Sequence, residues 1–197
     1  MSKSDPASVK KERNKLIRWV VTIFFVTIVV SSLISLGSEE LMAASSTLVA
    51  FFILLAIICL GIVFDVVGVA VTSAEEKPFH SMAARKVPGA VEAIQLLRNA
   101  ERVGSICNDV IGDICGVVSG SASAAIAVRM MESFELSWPR VIGLAMSALA
   151  AGLTVCGKAI GKSIAIHSST EIVYGVGRII YRFRKITSFF TNNKSKS

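Results

Sequence analysis

The sequence predicts an all-α, multi-pass membrane protein, with about four transmembrane helices plus juxtamembrane helices on the cytoplasmic side. Three observations predict it. Hydrophobic residues make up 53% of the 197 and charged ones only 18%, where soluble proteins carry about 25% charge. Four segments approach the run of about 20 mostly apolar residues that a helix needs to cross a bilayer. The 21 Lys and Arg residues are gathered into blocks that alternate with those segments.

In chain order, residues 1–18 form a basic N-terminal tail expected in the cytoplasm. Residues 19–36 carry no charge and read as an additional transmembrane helix. That run is longer than the about 7–15 residues of a signal-peptide core, which favours an uncleaved anchor. Residues 47–72 form the second span, interrupted only by Asp65. Residues 73–102 hold Pro78, Pro88 and many charges, so they form a cytoplasmic helical segment, with Val91, Ile94 and Leu97 on one side. Residues 103–128 are a third, more polar span containing Asn108, Asp109 and Asp113. The fourth runs from 141 to about 160 and carries Lys158 near its end.

Residues 167–190 are amphipathic. Ile172, Val173, Val176, Ile179, Ile180, Phe183 and Ile186 recur at helical spacing, while Arg178, Arg182 and Lys185 take the other side. This pattern suits an interfacial helix whose cations face anionic headgroups. A helix packed on a soluble partner is the alternative. The polar tail 191–197 is expected to be disordered.

Charge placement sets the topology. Six basic residues lie in 1–18, five in 73–102 and eight from Lys158 onward, leaving Arg129 and Arg140 elsewhere. The remaining connections hold Glu39, Glu40, Glu132 and Glu135 instead. The positive-inside rule then puts both termini in the cytoplasm, in the cell membrane. Trp19 and Trp138 fall at span ends, as aromatic belts do. The net charge of +7 is thereby accounted for by span flanks, and no nucleic-acid partner is expected. Four cysteines without metal spacing give neither a disulfide framework nor a zinc site. No nucleophile elbow, phosphate loop or His-bearing metal motif occurs, so no enzyme is expected.

Acids inside a membrane need a partner, a water cavity or a proton. Asp65 lies about 10 Å from the inner end of its span, and Asp109 and Asp113 about 9–15 Å into theirs, at 1.5 Å per residue. The three are expected to converge at one depth, with Asp109 and Asp113 sharing a face. A hard divalent cation held by carboxylate and amide oxygens, with Asn108 as the neutral donor, would relieve their repulsion. Lys158 would do the same as a counter-charge or gate. A purely structural polar network satisfies these residues too. Gly112, Gly116 and Gly120 repeat at four-residue steps, the spacing of a close-packing helix ridge, more readily within the subunit than at a dimer seam.

Residues 47–185 resemble the transmembrane domain of the CNNM/CorB–CorC magnesium transporter family, on four phrases in order. The family's F-S-G-x-E-x-A followed by Thr/Ser reads here Phe64-Asp65-Val66-Val67-Gly68-Val69-Ala70, then Thr72-Ser73. Its N-P-(D/E)-R reads Asn99-Ala100-Glu101-Arg102, and its G-N-x-x-x-N-like stretch matches Asn108 to Ile114 loosely. Its G-E-I-x-P-K-(T/S)-x-A reads Gly157-Lys158-Ala159-Ile160-Gly161-Lys162-Ser163-Ile164-Ala165. The resemblance implies a domain at 47–166 that binds or moves Mg2+, or Co2+, followed by an amphipathic belt helix, and a homodimer. The departures are Asp65 for the family's Ser, Gly68 for its first Glu, Lys158 for its second Glu and Gly161 for its Pro. The regulatory cystathionine-synthase-like domains usual in the family do not follow in this sequence, which leaves room for a separate regulatory subunit. A non-transporting membrane scaffold or accessory subunit, with a structural Asp–Lys network, is the alternative reading.

Overall fold

The computed structural model describes residues 6–134 and 139–194 and is helical nearly throughout, with no strand among the described residues. The helices are α1 (Pro6–Ala43), α2 (Thr47–Ser73), α3 (Lys77–Ala84), α4 (Ala90–Arg98), α5 (Ala100–Ser105), α6 (Asp113–Phe134), α7 (Pro139–His167) and α8 (Ser169–Lys194). A π-helical segment, Ile106–Gly112, joins α5 to α6. Among the described residues, four stretches are long and apolar enough to cross a membrane: Leu16–Met42, Thr47–Ser73, Ala100–Met131 and Val141–His167. The protein is an all-α, multi-pass membrane protein.

Several bounds differ from the sequence reading: the first span runs on to Met42 instead of ending at residue 36, and so takes in Glu39 and Glu40. Helix α1 begins at Pro6, so most of the basic stretch before residue 19 continues the first span as helix. The fourth span extends to His167, well past residue 160. Helix α8 runs to Lys194, into the stretch expected to be a disordered tail, and 195–197 lie outside the described residues. Trp138, expected in an aromatic belt, and Glu135 also lie outside them.

Helix α2 is the hub. Its buried residues Ala50, Leu54, Ile58, Gly61, Asp65 and Gly68 follow steps of three and four, which is one stripe along a helix. Toward one end of the spans, Met42, Ala50, Leu54, Ile58, Ala122, Ile126 and Ala150 form an apolar cluster drawn from α1, α2, α6 and α7. Helix α1 lies outermost and lays Ile23, Val30 and Ile34 against Val110, Ile114 and Val118. Much of its remaining apolar surface, including Phe24, Phe25 and Leu33, is exposed, as suits a helix facing lipid.

Arg129 explains why a guanidinium is tolerated at the sparsely basic end of the bundle. Its Nη1 donates to the carbonyls of Met42 (2.6 Å) and Ser45 (3.2 Å), at the turn where α1 ends and Met42 O also accepts from Ser45 N–H. Arg129→Ala is expected to lower the stability of purified protein by about 1.5 kcal/mol, the low end of what a charged donor contributes, because its two acceptor carbonyls are only part-buried. Denaturant unfolding in detergent checks this, and an unchanged midpoint would show that water replaces the guanidinium.

At the opposite end, Ala70 and Val71 of α2, Phe79 of α3, Ala93, Ile94 and Leu97 of α4, Ala165 of α7 and Val173 of α8 share one core. The expected apolar side of α4 therefore exists, with Ile94 and Leu97 inside it and Val91 exposed. Helix α8 crosses α4 backbone to backbone. A Cβ on Gly89 would sit 2.7 Å from the Arg178 backbone, and one on Gly177 would sit 2.5 Å from the Gly89 carbonyl oxygen. Gly89 also starts α4 at φ 92°, a conformation that favours glycine.

Candidate functional site: a buried carboxylate between two lysines

The register that buries α2 also buries Asp65, whose exposure is 3%. Helix α7 approaches this turn through two glycines. Gly157 receives the tip of Ile62, and a Cβ at Gly161 would lie 2.6 Å from Val66 Cγ2. Ile62 and Val66 are one turn apart on α2, as Gly157 and Gly161 are on α7, so two knobs enter two holes. Lys158 and Lys162 each follow one of those glycines and flank the carboxylate. Lys158 Nζ lies 3.8 Å from Asp65 Oδ1, and Lys162 Nζ lies 3.8 Å from Asp65 Oδ2.

These separations give Coulomb attraction without a hydrogen bond, which needs about 2.7–3.2 Å. The Lys158–Asp65 attraction is about 4 kcal/mol at an effective dielectric constant near 20. The cost of burying the charges is several kcal/mol per ion. The two effects are of the same size, so the pair gains little net stability while remaining sensitive to the loss of either member. Lys162 is 54% exposed on its side chain, so its contribution is strongly screened.

The π-helical segment also faces α2 at this level, beside α7. Gly112 lies against the pair: a Cβ there would be 3.4 Å from Lys158 Nζ and 3.8 Å from Asp65 Oδ1. Asn108 projects toward Gly68, where the side-chain amide fills the space that a larger residue would take. The oxygens Asp65 Oδ2 and Asn108 Oδ1 are both buried and accept no hydrogen bond from the protein.

The convergence of three acids does not form. Asp109 and Asp113 are exposed, and Asp109 accepts a hydrogen bond from Ser105 Oγ at 2.9 Å. No three His, Cys, Asp or Glu side chains are grouped to hold a metal among the described residues. The reason is angular. Asn108 and Gly112 face α2, and each aspartate follows one of them, about 100° further round the helix. Residue count gives distance along a helix and leaves open the side on which a residue falls.

The glycine ridge divides for a related reason. Gly112 packs inside, whereas a Cβ on Gly116 or Gly120 would meet nothing within 4 Å. Four-residue steps drift by about 40° each on a helix of 3.6 residues per turn, which carries the later glycines off the packed face. The expected ridge within the subunit is therefore limited to Gly112.

Lys162 is the member that the sequence reading passed over. Its signal is the four-residue step from Lys158, which places both ammonium groups on one side of α7. No known protein family, curated protein or solved structure matches this chain.

Proposed function

We propose that the chain is a cation-handling membrane protein of the CorB/CNNM transmembrane type, in which Mg2+ and lysine compete for Asp65. The observation that carries this reading is the pair of buried oxygens, Asp65 Oδ2 and Asn108 Oδ1, that lack donors beside an ion pair too long for hydrogen bonding. One carboxylate and one amide suit a hard cation that keeps most of its water, as Mg2+ commonly does. With Asp65 at −1 and two lysines at +2, the net charge of the site is +1, so a divalent ion enters only as the ammonium groups leave. Lys162, half-exposed, already reaches beyond the packed bundle, and Lys158 acts as the gate. Asp109 and Asp113 stand outside this ligand set.

By the family resemblance the assembly is a homodimer in the cell membrane, and the placement of Lys and Arg puts both termini in the cytoplasm. Flux of Mg2+, read with an enclosed indicator dye in proteoliposomes, tests the reading. Wild type is expected to carry a flux that Asp65→Asn abolishes, and absence of flux from wild type would overturn transport.

The second reading is a membrane scaffold in which the Asp65–lysine network holds α2 to α7. It is favoured by the two ammonium groups that already neutralise the carboxylate. It expects Mg2+ to leave thermal stability unchanged in wild type and in every Asp65 or Lys158 variant.

A further inference from the structure

Helix α8 has two opposed faces, and only one is covered by protein. Val173 and Gly177 are buried, the latter against the α4 backbone, and Arg184 pairs with Glu92 of α4 at 3.9 Å. Ile179, Phe183 and Ile186 form a stripe turned away from that contact, with exposures of 55%, 66% and 53%. Gly177 and Ile179 are separated by about 200° around the helix axis, so the stripe and the α4 contact are back to back. Arg178 and Arg182, one turn apart and both exposed, flank the stripe on one edge.

The sequence alone left two occupants for this face, a bilayer surface and a soluble partner. Position favours the bilayer. Only Ser168 separates α8 from the end of the α7 span, so α8 starts at the membrane boundary. The backbone contact at Gly89 and Gly177 fixes its rotation, so the stripe cannot turn inward to hide from water. A fixed apolar stripe with a cationic edge is complementary to the boundary between acyl chains and anionic headgroups.

We propose that this face of α8 seats on anionic phospholipid in the leaflet at the basic side, with Ile179, Phe183 and Ile186 below the headgroups and Arg178 and Arg182 on their phosphates. The surface is independent of whether Asp65 holds a cation. It makes α8 a reader of leaflet charge, because a basic side chain near an anionic surface contributes about a fivefold preference for it.

Hydrogen–deuterium exchange of residues 178–187, in full-length protein in nanodiscs, tests this. Exchange is expected to be several-fold slower in phosphatidylcholine containing phosphatidylglycerol than in phosphatidylcholine alone. Arg178→Gln with Arg182→Gln is expected to abolish that difference, and the Lys pair at the same positions to retain most of it. Exchange in α4 serves as the folding control and should not change. Equal exchange in the two lipids would overturn the proposal, as would a difference that survives in the glutamine variant. Inorganic phosphate added to phosphatidylcholine discs should have no effect. Protection by phosphate would identify an anion site instead of a lipid seat and would also overturn it.

Discussion

Lys158→Met is expected to destabilise the purified protein by about 3 kcal/mol, at the low end of what removing one member of a buried ion pair costs. The loss comes from Asp65, which stays buried while the less exposed of its two counter-charges disappears. Lys162 remains within 3.8 Å, but a side chain that is half in solvent neutralises a buried carboxylate poorly. The double variant Asp65→Asn/Lys158→Met should recover most of the loss, because the two changes touch one interaction and are not additive. Urea or heat unfolding in detergent measures both. If Mg2+ restores the single variant but not the double, the ion is replacing the ammonium at Asp65. If it restores neither, the scaffold reading stands. A Lys158→Met protein as stable as wild type would show that Lys162 alone balances the charge.

The second large effect belongs to Gly161. A Cβ at this position would approach Val66 Cγ2 to 2.6 Å, and valine is stiff at χ1, so the contact is relieved only if α7 moves from α2. Gly161→Leu is expected to cost about 3 kcal/mol or more, at the upper end of overpacking penalties. Gly157 gives the internal comparison. Its opposing atom is the terminal Cδ1 of Ile62, which can swing aside, so Gly157→Ala should cost less than Gly161→Ala. Equal costs would mean that α7 tilts as a rigid rod instead of yielding locally. Because each lysine follows a glycine of this joint, the Gly161 substitution should also part Lys162 and Lys158 from Asp65. Cysteine cross-linking between α2 and α7 would then fall with the unfolding midpoint.

The joint shows where the sequence was legible and where it was not. Span number followed from apolar length, and the basic end of the bundle followed from counting Lys and Arg. Asp65 was identifiable as buried because it interrupts an otherwise uncharged span. Its partner Lys158 was identifiable because it lies near the same end of another span. The fate of Asp109 and Asp113 was not legible. Their depth is set by residue count, but the side they face depends on the π-helical turn, whose position no residue pattern in 106–112 announces. The small-residue spacing was similarly ambiguous: Gly112 and Gly116 read alike in sequence, yet only one touches a neighbouring helix. The amphipathicity of α8 was plain, but which of its apolar residues meet α4 required the crossing at Gly89 and Gly177.

The π-helical turn has a mechanical consequence of its own. A helix wound more widely over one turn holds one residue more than its α-helical length requires. That surplus need not stay where it is. If it passes one turn along the span, the residues it crosses rotate by about 100° while both ends of the helix keep their places. Asn108 and Asp109 are neighbours in such a stretch, and Gly68 provides a socket without a side chain opposite them. The position of that extra residue therefore decides which of two neighbours, the amide or the carboxylate, meets the bare backbone of Gly68, and as the third span is wound here it is the amide.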